Sequence, residues 1–170
     1  MSITMYSASV PIFVRMLENC GRWLDKAEAH AQAKKFDSAV YLAARLAPDM
    51  LPFTNQIQIA CDGAKFAIAR LSDVDAPKFD DNETTLAALS ERVNATIAYI
   101  KSVPAAKLDG TEGKEVTIPR RAGPVVMKGE AYLKHFALPN FFFHVTTTYA
   151  LLRHNGVELG KMDFLGAVQQ

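Results

Sequence analysis

Apolar side chains recur at three- and four-residue steps in four long segments of this chain, the period of helices that bury one face. The first segment uses Val10, Phe13, Leu17, Cys20, Leu24 and Ala27, and Ile12, Met16 and Trp23 widen the stripe enough to meet more than one neighbour. Ser9 suits the N-cap, Pro11 is tolerated in the first turn, and the polar stretch from Gln32 to Lys35 ends the helix. Asp37 can cap a second run that Pro48 interrupts, and a longer helix is expected to resume at about Asp49. Met50, Phe53, Ile57, Cys61, Ala64 and Ile68 line one of its faces, beside a polar stripe of Asn55, Gln58, Asp62 and Lys65. A third helix, from about Thr84 to Val103, uses Leu86, Leu89, Val93, Ile97 and Ile100 and stops at Pro104. The last runs from about Asn140 to Gly156, where glycine suits a left-handed cap.

Between the third and last helices the period is lost. Val116, Ile118, Pro119, Gly123, Pro124, Val125 and Val126 predict a short hairpin or an irregular crossover, because two prolines argue against a regular central strand. Glu130 to Phe136 reads equally well as a helical turn or a strand. The expected architecture is all-α, a four-helix bundle with one extended crossover before the last helix, in a single domain over residues 1–170.

Composition narrows the partners. With 170 residues, 49% of them hydrophobic, the chain can bury a core without metals or disulfides. A net charge of +1 gives no electrostatic reason to expect nucleic acid or an anionic membrane. Asp73, Asp75, Asp80, Asp81 and Glu83 form an acidic linker, and Lys114, Arg120, Arg121 and Lys128 a basic one, each expected to be a solvated loop. Cys20 and Cys61 have no ligand spacing and fall on apolar stripes, as small hydrophobes do. With no secretory leader and no run of apolar residues long enough to span a bilayer, a cytoplasmic location is expected.

His144 is the residue most able to carry chemistry. It borders the Phe141, Val145, Thr148, Leu152 face of the last helix, and a ligand one turn later would complete a metal pair. Thr148 occupies that place and is a poor zinc ligand, so His144 reads first as a hydrogen-bonded core histidine. His154 lies about 15 Å further along the helix and cannot share an ion with it. His30 is expected to be solvated, and His135 could fold back over the bundle. Asp62, with Gln58 one turn before it, could face His144 as a ligand or orienting group, or could pair with Lys65 at the surface. Thr146, Thr147 and Thr148 have no evident base and are expected to bond back to preceding carbonyls. Gly156, Gly160 and Gly166 let the segment with Phe164 and Leu165 turn back onto the bundle. Phe141, Phe142, Phe143 and Tyr149 encircle much of their helix, which suggests a further subunit contact and a homodimer.

Two stretches carry a resemblance. RLAPDMLPFTNQIQIACDGAK, from Arg45 to Lys65, and LPNFFFHVTTTYALLRHNGVELGKMDFLG, from Leu138 to Gly166, resemble an uncharacterised family in the DinB/YfiT-like superfamily, over nearly the whole chain. The resemblance implies an up-down-down-up four-helix bundle, often dimeric, with metal-dependent transferases of low-molecular-weight thiols among its relatives. Such enzymes carry one histidine on the second helix and an HxxxH pair on the last. His144 matches the first of that pair, Thr148 stands where the second belongs, and Gln58 or Asp62 lies roughly where the second-helix histidine would be.

The ligand deficit favours a bundle without a complete metal site and without a cofactor, in a small-ligand-binding or structural role. The alternative is a thiol transferase or hydrolase with an altered ligand set, in which Asp62 and His144, with or without His135, hold zinc or nickel. A third reading is an interaction protein whose C-terminal loop docks a partner.

Overall fold

A computed structural model describes residues 3–120 and 122–166. Helix α1 spans Val10–Lys34, α2 Phe53–Ser72 and α3 Leu86–Ser102. A two-stranded antiparallel hairpin follows, β1 Glu115–Ile118 and β2 Val125–Lys128, with Val116 opposite Met127 and Ile118 opposite Val125. The chain then enters a short turn α4, Gly129–Tyr132, a wide π-helical turn Leu133–Ala137, and α5, Leu138–His154. A last turn, α6, spans Lys161–Leu165. No helix among the described residues is long and apolar enough to cross a membrane.

The helix starts follow local chemistry. Thr85 caps α3 by accepting from the Ala88 N–H at 3.1 Å. Ser9 stands at the start of α1, but its hydroxyl donates to the Met5 carbonyl at 2.6 Å instead of capping. Asp37 caps only a single 3₁₀ turn, Ser38–Tyr41, and α2 starts at Phe53 rather than Asp49. Pro52 disfavours helical geometry at Leu51, so the chain stays extended until the proline has passed. The final helical stretch begins earlier than expected, and its wide turn sits directly before Pro139, whose ring and missing N–H disfavour an ordinary turn. The two hairpin prolines, Pro119 and Pro124, lie between the strands, where they interrupt no ladder bond.

α1 packs on α3 and α5, and α2 packs on α3 and α5, so the four long helices enclose a common core. Phe13 meets Phe141 edge to face at 4.8 Å. Arg92, early in α3, reaches Gln58 and Asp62, early in α2, while Tyr99, late in α3, donates to the Val74 carbonyl beyond the end of α2. Helices α2 and α3 therefore run in the same direction. The C-terminal segment folds onto α1: the Trp23 indole donates to the Asp163 carbonyl at 3.0 Å, and Phe164 stacks on Trp23 at 5.7 Å and meets Tyr149 edge-on at 5.6 Å. That docking covers Tyr149, and of the aromatics on α5 only Phe143 is left exposed.

Gly129 marks a close approach. A Cβ there would lie 2.1 Å from the Thr111 carbonyl oxygen, which is backbone and cannot swing aside. Gly129→Ala is expected to destabilise by about 1–3 kcal/mol or more, as overpacking does. Gly21→Ala, in α1 with nothing within 4 Å of the new methyl, is expected to stabilise by up to about 1 kcal/mol. Urea denaturation of the two variants checks the pair.

Candidate functional site

Two polar clusters lie on different sides of α2. On the α5 side, His144 is buried and its Nδ1 lies 2.7 Å from the Gln56 Oε1. The Gln56 amide nitrogen donates to the Leu51 carbonyl at 2.9 Å, so the amide presents its oxygen to the ring. Nδ1 is then the protonated nitrogen, and Nε2 keeps its lone pair. Burial lowers the His144 pKa below the ordinary imidazole value, which keeps the ring neutral. The Thr148 hydroxyl donates back to the His144 carbonyl at 2.9 Å, and Thr147 bonds likewise to Phe143 at 2.7 Å. The expected core histidine is found, with a partner the sequence reading did not name. Gln56 lies off the polar stripe of α2, and only its place opposite α5 could have marked it.

On the α3 side the centre is Arg92. Its guanidinium is buried and bonds Asp62 at 2.8 Å, Asp81 at 2.6 Å, Glu83 at 2.9 Å and the Gln58 carbonyl at 3.5 Å. Nε alone lacks a partner among the described residues. Lys65 is buried beside it, 2.9 Å from Asp62, and the Phe79 ring lies 4.1 Å from the Lys65 ammonium and 4.6 Å from the Arg92 guanidinium. Gln58 bonds Glu83 at 2.7 Å and Asn55 at 2.8 Å. Burial opposes charge on both Arg92 and Glu83. Their mutual bonds outweigh it, raising the arginine and, with Gln58, holding Glu83 below the ordinary carboxylate value.

Asp62 and Lys65 pair as the helical spacing allowed, but the pair is not on the surface. The linker between α2 and α3 folds over it through Phe79, Asp81 and Glu83: Asp73, Asp75, Asp80 and Asp81 stay exposed, as a solvated loop would be, but Glu83 is drawn in against Arg92. Asp62 and His144 share no hydrogen bond, and each has its own partners. Six residues separate Gln56 from Asp62 on α2, which rotates the two about a third of a turn apart. His135 is exposed in the wide turn and His154 is exposed at the end of α5. His30 is not free in solvent: its Nδ1 lies 2.6 Å from the Tyr41 hydroxyl and its ring packs edge-on to Phe36. In the basic linker, Lys114 pairs with Asp73 at 2.7 Å and Lys128 with Glu115 at 3.0 Å, while Arg121 lies outside the described residues. Both cysteines are buried, and burial pushes the Cys61 thiol up to about 11 and raises Cys20 as well, so neither is a nucleophile.

A charge on the apolar stripe of α3, between Leu89 and Val93, was the signal for Arg92. Arg92→Ala leaves Glu83 and Asp81 without their cation, Asp62 keeping Lys65, and is expected to cost about 3–5 kcal/mol. Lys101→Ala, which breaks the exposed 2.9 Å pair with Glu18, should cost less than about 1 kcal/mol in the same denaturation experiment.

A pH dependence follows from His144. Its folded pKa lies below the unfolded value of about 6.5, so the unfolded chain takes up the proton first. This contribution to stability is complete above about pH 6.5 and is lost as pH falls through that value toward the folded one. Glu83, also depressed, loses its contribution only below its ordinary 4.5. The slope of stability against pH just below 6.5 should flatten in His144→Asn, measured by denaturation across pH.

Comparison with known proteins agrees with this architecture. A family model described as a domain of unknown function, DUF1993, matches residues 5–165. The crystal structure of a DinB family member from Shewanella denitrificans has a TM-score of 0.91 and 42% sequence identity, covering 97% of this chain and 93% of that one. No curated protein matches the chain. The chain belongs to the DUF1993 family, a domain of unknown function within the DinB-like superfamily.

Proposed function

We infer that this protein is a DinB-like bundle in which the place of a metal centre has become a polar core contact, leaving a small-ligand-binding or structural role. The pairing of His144 with Gln56 carries the reading. Gln56, rather than Gln58 or Asp62, is the α2 residue facing the last-helix histidine. The donors around that ring do not fit zinc or nickel. An amide oxygen engaged by Nδ1 and a hydroxyl committed to a carbonyl are weak ligands, and the described residues contain no group of three His, Cys, Asp or Glu side chains that could hold an ion.

The same reading takes the four long helices as an up-down-down-up bundle. The common direction of α2 and α3, and the Phe13–Phe141 and Trp23–Tyr149 contacts that align α1 with α5, support it. It also takes the protein as cytoplasmic, in keeping with two free buried cysteines, and as a homodimer, supported by Phe143 at 55% exposure. Sedimentation velocity at micromolar concentration tests the dimer, and a monomer alone removes it.

One observation favours the alternative of a metal-dependent thiol transferase or hydrolase with an altered ligand set. Gln56 fixes the ring so that Nε2 is free, the state an imidazole needs to ligate a metal. Elemental analysis of protein purified without an affinity tag decides between the two. Substoichiometric zinc and nickel are expected, whereas one equivalent, lost in His144→Ala, overturns the inference. The double variant Gln56→His, Thr148→His should raise zinc affinity by orders of magnitude, read by competition with a chromophoric chelator.

A further inference from the structure

A second arginine contrasts with Arg92. Arg70, near the end of α2, has no carboxylate partner among the described residues, and its one side-chain bond is a donation to the Tyr132 hydroxyl at 3.0 Å. Its guanidinium carbon lies 5.3 Å from the Phe66 ring centre and 6.0 Å from that of Tyr132. Two aromatic rings thus steady a half-buried, uncompensated cation whose remaining N–H donors are unspent.

Arg70 borders a cavity of about 200 Å³ between α2, the end of β1 and the wide turn. Ile59, Ile118, Pro119 and Phe136 wall it with hydrocarbon. Asn140 supplies an amide that has no hydrogen-bond partner among the described residues, and its nitrogen is 3.4 Å from where a Cβ on Gly63 would stand. Asp62 also lies on the wall, with its Oδ1 held by both Lys65 and Arg92. The wide turn contributes Phe136 and Ala137 to the cavity, and such turns are frequent at functional sites.

We propose that this cavity binds a small organic carboxylate with an apolar body, its carboxylate on Arg70 and its hydrocarbon against Ile59, Ile118 and Phe136. A planar guanidinium matches a carboxylate through paired N–H bonds, and the Asn140 amide can add another. The apolar walls reward the body of the ligand, as in most small-molecule sites. Inorganic phosphate suits the cavity less well, since it would give up its hydration for one guanidinium and has no apolar body to set against the hydrocarbon walls. The proposal rests on the small-ligand reading above and not on the metal content of the protein.

Titration of the full chain with benzoate, followed by protein NMR in the presence of a chelator, tests it. Saturable shifts clustered at residues 59–70 and 132–140 are expected. Benzamide, neutral and of the same shape, should bind at least tenfold more weakly, and inorganic phosphate should not displace benzoate. Arg70→Met should weaken benzoate at least tenfold. Gly63→Ala, which narrows the cavity within a helix that favours alanine, should weaken it in a variant whose fold is not at risk. Equal binding of benzoate and benzamide, displacement by phosphate, or an affinity unchanged in both variants overturns the proposal. Absence of benzoate binding by metal-free protein also ends it while leaving the metal-free reading intact. Stoichiometric zinc with chelator-resistant benzoate binding does the reverse.

Discussion

The Arg92 guanidinium ties α3 to α2 and to the strap that joins them, and the parallel course of these two helices is what makes such a tie necessary. Parallel neighbours cannot be linked by a tight turn, so the strap must return along the length of α2, roughly 30 Å. Residues 73–85 can span roughly 40 Å when extended, so the reach is sufficient. From Val74 to Thr84 the strap makes no backbone–backbone hydrogen bond among the described residues. Side chains must hold it instead. Asp81 and Glu83 bond Arg92, and the Phe79 ring lies against both Arg92 and Lys65. Removing a guanidinium and an ammonium from water is costly, and the cost is met only because three carboxylates, a carbonyl and an aromatic face converge on them.

This arrangement divides α2 by function. Its apolar stripe enters the core through Ile57, Cys61, Ala64 and Ile68, all essentially buried. Gln56 looks toward α5 and fixes the tautomer of His144, while Gln58, Asp62 and Lys65 look toward α3 and the strap. A helix polar on two buried sides needs each polar group satisfied, and every buried side-chain nitrogen and oxygen of α2 has a partner. Ile59, Gly63, Phe66 and Arg70 form the remaining face, which meets the hairpin and the wide turn.

The helices were legible because their period and their stop signals are local. Pro104 and Gly156 act within a turn of their own position. The start of α2 was misplaced because Pro52 restrains the residue before it, an effect weaker in the pattern than the break at Pro48. The role of His144 as a buried, bonded histidine could be read from the company it keeps on α5. Its partner could not, because pairing Gln56 with His144 depends on the rotation of α2 about its axis, which periodicity fixes only to within a residue or two. The role of the strap was illegible for a related reason: that Asp81 and Glu83 bond Arg92 depends on how the linker folds back over the first turns of α3, which no local pattern records.

Arg92 and Arg70 show how one residue type serves two ends in one fold. Arg92 has four acceptors on its terminal nitrogens, so an external anion would have to displace Asp81 or Glu83 from the one cation each bonds among the described residues. It is closed to ligands by its own saturation. Arg70 spends one donor on a phenol and rests on aromatic faces, which orient it without neutralising it. A cation held in place, half out of water and lacking a counter-ion, lowers its free energy most by acquiring an anion. The difference between the two lies in where the strap's carboxylates are spent: Asp81 and Glu83 bond Arg92, whereas Asp73, three residues beyond Arg70, pairs with Lys114.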